Sequence, residues 1–422
     1  MAYQKADELY DSSKFKAAVQ KFDQAIWFND EQSAYFIGRA LAYDSLENSE
    51  QAISDYSKAL SLKEKQPNVY YFRGLTFLAM EKPRKALQDF SKAIEYKPAM
   101  KEAYFNRAQI QHNQGNFQKA VDDFTQVIQQ DSTLADAYFL RGGSYLELGE
   151  KQKAVEDYSK ALQLGMNTMD IYEQRGKALS DLENYQNAIK DYGKLIELTG
   201  GSKKLYYQRG YMHFLLEDYA QAIPDFTKTL SYDSDHRDAL YYRAHCYSEE
   251  NDYQKAMEDF KRVTRLDPNT AKVWLNLGLA QMHLNRFEIA KTSFAKAINL
   301  KPGYTKAYFL RGMIYGRLKS PQQAIENYNQ ALELNPDHAR AYNYRGVAKG
   351  EQDQHQQAIE DYNKAISIDS TYAMAYYNRG ISKVTLNKFA DGCQDFYKAL
   401  DYGFQPAQRM IQTYCKNHPR KE

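Results

Sequence analysis

Apolar residues along this chain recur three and four positions apart, in short stretches that come in pairs. One such pair runs from Ala103 to about Gln114 and from Phe117 to Gln129. This spacing places the apolar side chains on one face of an α-helix. Gly115 lies in the short turn between the two stretches, and Pro98 opposes continuation of the preceding helix. The pattern therefore predicts pairs of amphipathic helices joined by tight turns.

The helix pair repeats through the whole chain at one constant period, without insertion or deletion. One column of the repeat is always aromatic: Phe22, Tyr56, Phe90, Phe124, Tyr158, Tyr192, Phe226, Phe260, Phe294, Tyr328, Tyr362 and Phe396. Alanine stands four residues before each aromatic, except that Gly392 takes its place in the last copy. A third column holds only Gly or Ala, as at Gly74 and Ala108. Small residues let two helices approach closely while the aromatic fills the space between them, so twelve helix–turn–helix repeats are predicted.

These columns and their period resemble the tetratricopeptide repeat, a helix–turn–helix unit of about 34 residues. The resemblance extends from Met1, at the third position of the first repeat, to Pro406. It implies an all-α, right-handed superhelical solenoid of antiparallel helix pairs, with a concave groove lined by the first helix of each repeat. We expect one domain of twelve repeats over residues 1–406. Residues 407–422 are expected to form a capping helix, from Ala407 to about Cys415, and a tail.

Composition argues against several classes of function. The 422 residues include 56 Lys and Arg against 54 Asp and Glu, a net charge of +2, without the basic excess of a nucleic-acid-binding protein. No apolar run approaches the ~18 residues of a membrane helix, so direct membrane insertion is not expected. The N-terminal sequence has no export signal, which favours the cytoplasm. A periplasmic chain whose export signal was removed is the alternative.

No motif for catalysis or metal binding stands out in the sequence. The segment 200–203 (GGSK) lacks the preceding strand and the spacing of a phosphate-binding loop. The eight histidines show no paired-ligand spacing, and no Ser or Cys lies on a recognisable nucleophile elbow. We therefore expect a protein that is not an enzyme and that uses neither a cofactor nor a metal.

Arginine precedes the small residue in most repeats, where the tetratricopeptide family usually has an apolar residue. The predicted structural ion pairs join it to an aspartate sixteen residues later, as in Arg107 with Asp123, Arg141 with Asp157, and Arg209 with Asp225. The repeat from Ala271 lacks both members, with Leu277 and Ser293, which indicates that each arginine binds within its own repeat. Arg311 is an exception, because it faces Asn327. A ladder of arginines for anionic ligands is the less favoured alternative, since an unpaired buried charge is costly.

The stripe of the first helices that should line the groove is more apolar than a surface meant only for water. The candidate partner-binding residues are Tyr71, Leu75, Phe105, Phe139, Tyr207, Tyr211, Phe214, Tyr241, Tyr242, His245, Leu275, Leu279, Phe309 and Met313. Their densest cluster lies on the repeats that begin at Lys203 and Arg237, and tyrosine is enriched at protein interfaces. We predict that this stripe holds an extended or helical peptide. Packing against the first helix of the next repeat is the alternative.

The expected function is that of a scaffold that binds a protein or peptide partner in its groove. The alternative is a regulatory or assembly module of a larger enzyme or cell-envelope complex whose chemistry resides on another chain. Asn106, Asn276 and Asn378 occupy one groove position, but their neighbours do not fit a carboxylate clamp and they are too few for an asparagine ladder. We expect a monomer, with end-to-end self-association as the alternative.

The last repeat has a distinctive ending. Residues 391–400 (DGCQDFYKAL), followed by Gly403 and by Tyr414 and Cys415, resemble the ending of many tetratricopeptide proteins of Bacteroidetes-type bacteria, which are often exported. A terminal disulfide between Cys393 and Cys415 is geometrically conceivable. Two unpaired cysteines in helix packing are the favoured expectation.

Overall fold

A computed structural model describes residues 2–420 of the chain, and the last two residues of the predicted tail lie outside this range. The described residues form 25 α-helices in consecutive pairs and no strand, which confirms the predicted all-α fold. The chain divides into two compact units, Met1–Gly201 (unit 1) and Ser202–Glu422 (unit 2). The single domain of twelve repeats over residues 1–406 stays a prediction.

The helices of unit 1 are α1 (Ala2–Asp11), α2 (Phe15–Phe28), α3 (Ser33–Ser45), α4 (Ser49–Leu62), α5 (Pro67–Ala79), α6 (Pro83–Tyr96), α7 (Lys101–Asn113), α8 (Phe117–Gln130), α9 (Ala135–Glu147), α10 (Lys151–Gln163), α11 (Met169–Asp181) and α12 (Tyr185–Thr199). The helices of unit 2 are α13 (Lys203–Leu215), α14 (Tyr219–Tyr232), α15 (Arg237–Glu249), α16 (Tyr253–Leu266), α17 (Ala271–His283), α18 (Phe287–Leu300), α19 (Thr305–Arg317), α20 (Pro321–Leu334), α21 (Ala339–Gly350), α22 (His355–Ile368), α23 (Ala373–Thr385), α24 (Phe389–Asp401) and α25 (Ala407–Tyr414). Odd-numbered helices up to α23 are the first helices of their repeats.

The two helices of a repeat approach each other at the column of Gly or Ala. A Cβ atom on Gly74 of α5 would lie 2.7 Å from Cε1 of Phe90 on α6, so the ring occupies the space that a side chain would need. Phe90, Phe124 and Phe226 of the aromatic column are fully buried. Within each unit, a helix pair packs on the next pair along the chain, and the core therefore runs through the stack of repeats.

The turn inside each repeat requires one residue in the left-handed backbone conformation. Gly115 and Gly149 adopt it with φ of 77°, where the missing Cβ removes the steric cost. In other repeats a residue with a side chain adopts the same conformation, as at Glu81 with φ of 55° and Asn251 with φ of 61°. The turn geometry is thus the same with and without glycine, which keeps the period constant along the chain.

The pairing predicted from the Arg and Asp columns is present in both units. Arg107 donates from Nε and Nη2 to the two carboxylate oxygens of Asp123, each over 2.7 Å. The pairs Arg141 with Asp157 and Arg209 with Asp225 have the same two-point geometry. The aspartates of these pairs are buried, so the arginines are occupied by structural partners.

Helix α25 packs against α24 of the last repeat, as expected for a capping helix. Cys415 follows α25 directly and forms a disulfide with Cys393 on α24, with their Cα atoms 5.6 Å apart. The expectation of two unpaired cysteines is therefore wrong. Packing of the two helices around Phe396 and Ala407 brings the sulfur atoms together, and this proximity is not visible in the spacing of the two cysteines along the chain.

Candidate functional site: the inner stripe of the first helices

The stripe of the first helices that is predicted to line the groove is here called the inner stripe, and in unit 1 it contains a row of half-buried aromatic side chains. The rings of Tyr71, Phe105 and Phe139 lie 5.9, 5.8 and 5.7 Å from the core aromatic of their own repeats, measured between centroids. Leu75 lines a cavity of about 630 Å³ together with Leu41 and other residues of the first repeats. Each ring thus uses part of its surface for the core and leaves the rest exposed.

In unit 2, six side chains of α13 and α15 form a continuous aromatic surface, here called the tyrosine cluster. Its members are Tyr207, Tyr211, Phe214, Tyr241, Tyr242 and His245, and all six are half-buried. The ring of Tyr242 lies 4.9 Å from that of Tyr211 and 4.9 Å from that of Phe214. Phe214 in turn meets His245 edge-on at 5.4 Å. The cluster therefore joins two successive first helices through ring contacts.

Helical spacing explains why these residues meet. Tyr207, Tyr211 and Phe214 are four and three positions apart on α13, which places them on one face of the helix. Below them, Phe226 on α14 supports the cluster, with its ring 6.1 Å from Tyr207 and 6.0 Å from Tyr242. The buried side of the cluster is thus fixed by the core, while the other side is available for a ligand.

Burial sets the protonation states in the tyrosine cluster. It raises the pKa of Tyr207 to about 12, so this hydroxyl stays neutral. It lowers the pKa of the His245 imidazole below the ordinary 6.5, so the ring is uncharged at neutral pH. The Tyr241 hydroxyl and His245 Nδ1 are buried without a hydrogen-bond partner. The cluster therefore presents an uncharged surface, and its two unpartnered polar atoms are enclosed by the protein.

A cavity of about 320 Å³ adjoins the tyrosine cluster at His245. Asn276, Leu279 and His283 line it from α17, and Lys306 lines it from the first turn of α19. The lining combines amide, imidazole, hydroxyl and ammonium groups and the carboxylate of Glu249 with apolar carbon. Such a surface suits a polypeptide segment that carries both polar and apolar side chains.

Between residues 2 and 420, no three His, Cys, Asp or Glu side chains are grouped so that they could hold a metal ion. No helix in the same part of the chain combines the length and the apolar character needed to cross a membrane.

Family models identify the repeats. Models described as tetratricopeptide repeat match residues 34–66, 71–135, 135–167, 170–200 and 339–372. A model for the C-terminal ARM domain of tetratricopeptide repeat protein 21 matches residues 212–338. The chain is a tetratricopeptide repeat protein. Among curated proteins, none matches it.

Several solved structures are similar to this tetratricopeptide repeat protein. A crystal structure of MamA is 24% identical and covers 42% of this chain and 96% of its own, with a TM-score of 0.39. The C-terminal part of a repeat protein from Cytophaga hutchinsonii is 20% identical over 65% of this chain and 99% of its own, with a TM-score of 0.42. Yeast Tom70 is 16% identical over 98% and 94%, with a TM-score of 0.37. The family models, and not these superpositions, carry the identification.

Two of the predicted groove residues belong to the core of this tetratricopeptide repeat protein. Leu275 is 3% exposed and Phe309 is 6% exposed, so neither offers a surface to a partner. Phe309 is enclosed by Tyr344, whose ring lies at 5.7 Å, and by His338, whose ring lies at 4.8 Å. Both side chains pack against the neighbouring repeats, which is the alternative considered for this column. Leu279 and Met313, one helical turn further along, remain half-buried.

Sequence reasoning missed three cations of unit 2. Lys272, Lys306 and Arg340 are each the second residue of a first helix, on α17, α19 and α21, and are here called the cation row. All three are exposed. The sequence does contain a signal for them, because the same column of the repeat carries Lys, Lys and Arg in three successive copies.

Proposed function

We propose that this tetratricopeptide repeat protein is a scaffold that binds a protein partner through the inner stripe of unit 2. The observation that carries the proposal is the tyrosine cluster, six adjoining aromatic side chains that the core supports from one side only. Tyrosine rings offer large contact areas at a low cost in conformational entropy, and contiguous apolar surface usually marks an interaction site. Families of such scaffolds are generally non-catalytic, and we propose that this chain has no enzymatic activity either.

Substitution within the tyrosine cluster tests the proposal. Cross-linked partners recovered with the wild-type chain are compared with those of Tyr207→Ala plus Tyr241→Ala. The matched control is Tyr232→Ala plus Tyr402→Ala, because these tyrosines are exposed outside the cluster. We expect the control to retain every partner of the wild type and the cluster variant to lose them while its helical circular dichroism is unchanged. Retention of the partners by a folded cluster variant contradicts the proposal.

For the compartment, we propose the periplasmic alternative in place of the cytoplasm. The disulfide between Cys393 and Cys415 supports it, because structural disulfides persist in oxidising compartments and are rare in the cytosol. Alkylation of free thiols during lysis of the source cells tests this. Cys393 and Cys415 should escape labelling until a reductant is added, whereas labelling of both without reductant supports the cytoplasm.

A further inference from the structure

The cation row of unit 2 is placed where a helix does not favour positive charge. Lys272, Lys306 and Arg340 lie in the first turn of their helices, and none of the three helices has an acidic residue in that turn. The partial positive charge of a helix N-terminus repels cations and attracts carboxylates. Helix stability therefore does not explain why three successive repeats carry a cation at this position.

Other first helices, in both units, show the opposite choice at the same position of the repeat. The second residues of α7, α9, α11 and α15 are carboxylates, which the helix dipole favours: Glu102, Asp136, Asp170 and Asp238. The fold thus accepts carboxylates at this position, and cations are not a requirement of the repeat. The positive sign of the charge on α17, α19 and α21 is consequently a property of the surface that these three helices form.

The three cations have no ionic partner among the described residues. Lys272 Nζ lies 5.7 Å from the ring centroid of Tyr241, and Arg340 Cζ lies 5.7 Å from that of Phe309. Lys306 lines the cavity that also contains Leu279 and the carboxylate of Glu249. Lys272 and Lys306 therefore adjoin the tyrosine cluster, Arg340 lies further along the stack over Phe309, and none of the three forms an ion pair.

An apolar row accompanies the cations on the same helices. Leu279, Met313 and Val347 are half-buried and stand seven residues after Lys272, Lys306 and Arg340, respectively. Residues seven apart share one face of a helix and lie roughly 10 Å apart along its axis. Each of the three helices thus presents a cation and, two turns later, an apolar side chain.

The two rows define the kind of ligand that fits between them. Neighbouring first helices pack side by side, as α19 and α21 do, with axes expected about 8–10 Å apart. An extended peptide that crosses three helices spans roughly 20 Å, or about six residues, and its side chains point alternately to opposite edges. Acidic side chains on one edge would meet the cation row, and apolar side chains on the other would meet the apolar row.

We propose that the cation row and the apolar row of unit 2 bind an extended polypeptide segment in which acidic and apolar residues alternate. This proposal rests on the proposed scaffold function and names the class of segment that unit 2 recognises. The site lies on α17, α19 and α21, whereas the proposed function is tested on α13 and α15. A negative result for the cation row therefore does not affect the test of the tyrosine cluster, and the reverse also holds.

Fluorescence anisotropy with the full chain tests the proposal. The probe is a fluorescein-labelled peptide of ten residues with alternating Glu and Val. The variant Lys272→Glu plus Lys306→Glu plus Arg340→Glu should bind it roughly tenfold more weakly or worse, because attraction becomes repulsion at three places. Binding to the wild type should also weaken as salt is added, since exposed charges are screened.

The matched control is Lys261→Glu plus Lys296→Glu plus Lys364→Glu, which makes the same change in net charge on exposed residues of second helices. It should bind the probe as the wild type does. Thermal melts exclude loss of folding, and the cation-row variant should melt no lower than the wild type because its new carboxylates suit the helix N-termini. Equal weakening in both variants would show a general charge effect and overturn the proposal.

Three other probes complete the experiment. A peptide of five Glu followed by five Val tests the alternation and should bind more weakly than the alternating probe. A peptide of alternating Lys and Val should gain affinity for the cation-row variant. A single-stranded oligothymidine of ten nucleotides tests for a general polyanion site. No binding of the acidic probe to the wild type, or equal binding of the oligonucleotide, overturns the proposal.

Discussion

Two arginines of the paired column, Arg107 and Arg141, each join three helices. Arg107 on α7 binds both carboxylate oxygens of Asp123 on α8, and its Nη1 donates over 3.1 Å to the Ser91 hydroxyl on α6 of the preceding repeat. Arg141 repeats the arrangement with Asp157 and, across the repeat boundary, with Thr125. One side chain therefore fixes the helix register inside a repeat and also the packing of that repeat on its neighbour.

Removal of the aspartate should therefore be costly. In Asp123→Ala, the Arg107 guanidinium loses its counter-ion while it remains partly buried, with 20% of its side chain exposed. We expect the free energy of unfolding to fall by about 3 kcal/mol, the lower end for a broken buried pair. Urea denaturation followed by circular dichroism measures it, and Asp122→Ala at the exposed neighbouring position is the control. A curve indistinguishable from the wild type contradicts the structural assignment.

Arg311 shows what happens where the aspartate is missing. Its Nε donates over 2.6 Å to Asn327 Oδ1, and no carboxylate of the described residues forms an ion pair with it. Burial lowers the pKa of Arg311 from its ordinary value, because no nearby anion compensates for the lost hydration. This repeat keeps the arginine but not the two-point contact that Arg107, Arg141 and Arg209 make.

Asn327→Asp should restore that contact. We expect an increase of about 1 kcal/mol in the free energy of unfolding, since a neutral acceptor is replaced by a charged one beside the guanidinium. The same change in an Arg311→Gln background should instead destabilise the chain, because the new carboxylate is then buried without a cation. Thermal melts of the four chains measure the cycle. If Asn327→Asp changes the stability equally in the wild type and in Arg311→Gln, the change does not come from an interaction with Arg311.

At the scale of elements, the disulfide fastens the capping helix α25 to α24. The bridge closes a loop of 22 residues in sequence between Cys393 and Cys415. Cross-links of loops near this size stabilise folded proteins by roughly 3 kcal/mol in the chain-entropy view. Few residues of α25 are buried, with Ala407 the one fully enclosed, so packing alone gives this helix little support.

Thiol counting and hydrogen exchange together test this role. One thiol per chain, that of Cys246, should react under denaturing, non-reducing conditions, and all three should react after reduction. In Cys415→Ser, the amides of α25 should exchange much faster than in the wild type, because no covalent bond then holds α25 against α24 when the helix opens locally. The amides of α13 should be unaffected in the same sample. Three reactive thiols before reduction would contradict the bridge.

At the scale of the whole molecule, periodicity explains which features were predictable. Columns such as Gly74 with Phe90 recur in register, so they predict the helix pairs; the first predicted pair, from Ala103, matches α7 and α8 within two residues at each end. The contacts that decide exposure come from other repeats. Phe309 is buried by Tyr344 and His338, which belong to the following repeat, so its burial depends on packing between repeats. The disulfide likewise depends on how α24 and α25 pack.

The oligomeric state of the whole molecule depends on how much apolar surface it exposes. The largest exposed apolar side chains are Trp27, 82% exposed, and Phe28, 75% exposed, which adjoin at the end of α2. Two aromatic side chains offer at most roughly 500 Å², whereas a stable interface buries about 800 Å² on each partner. We therefore expect a monomer of 49.0 kDa in light scattering at all concentrations. A mass that rises with concentration, and returns to 49.0 kDa in Trp27→Ser plus Phe28→Ser, would instead identify α2 as a site of self-association.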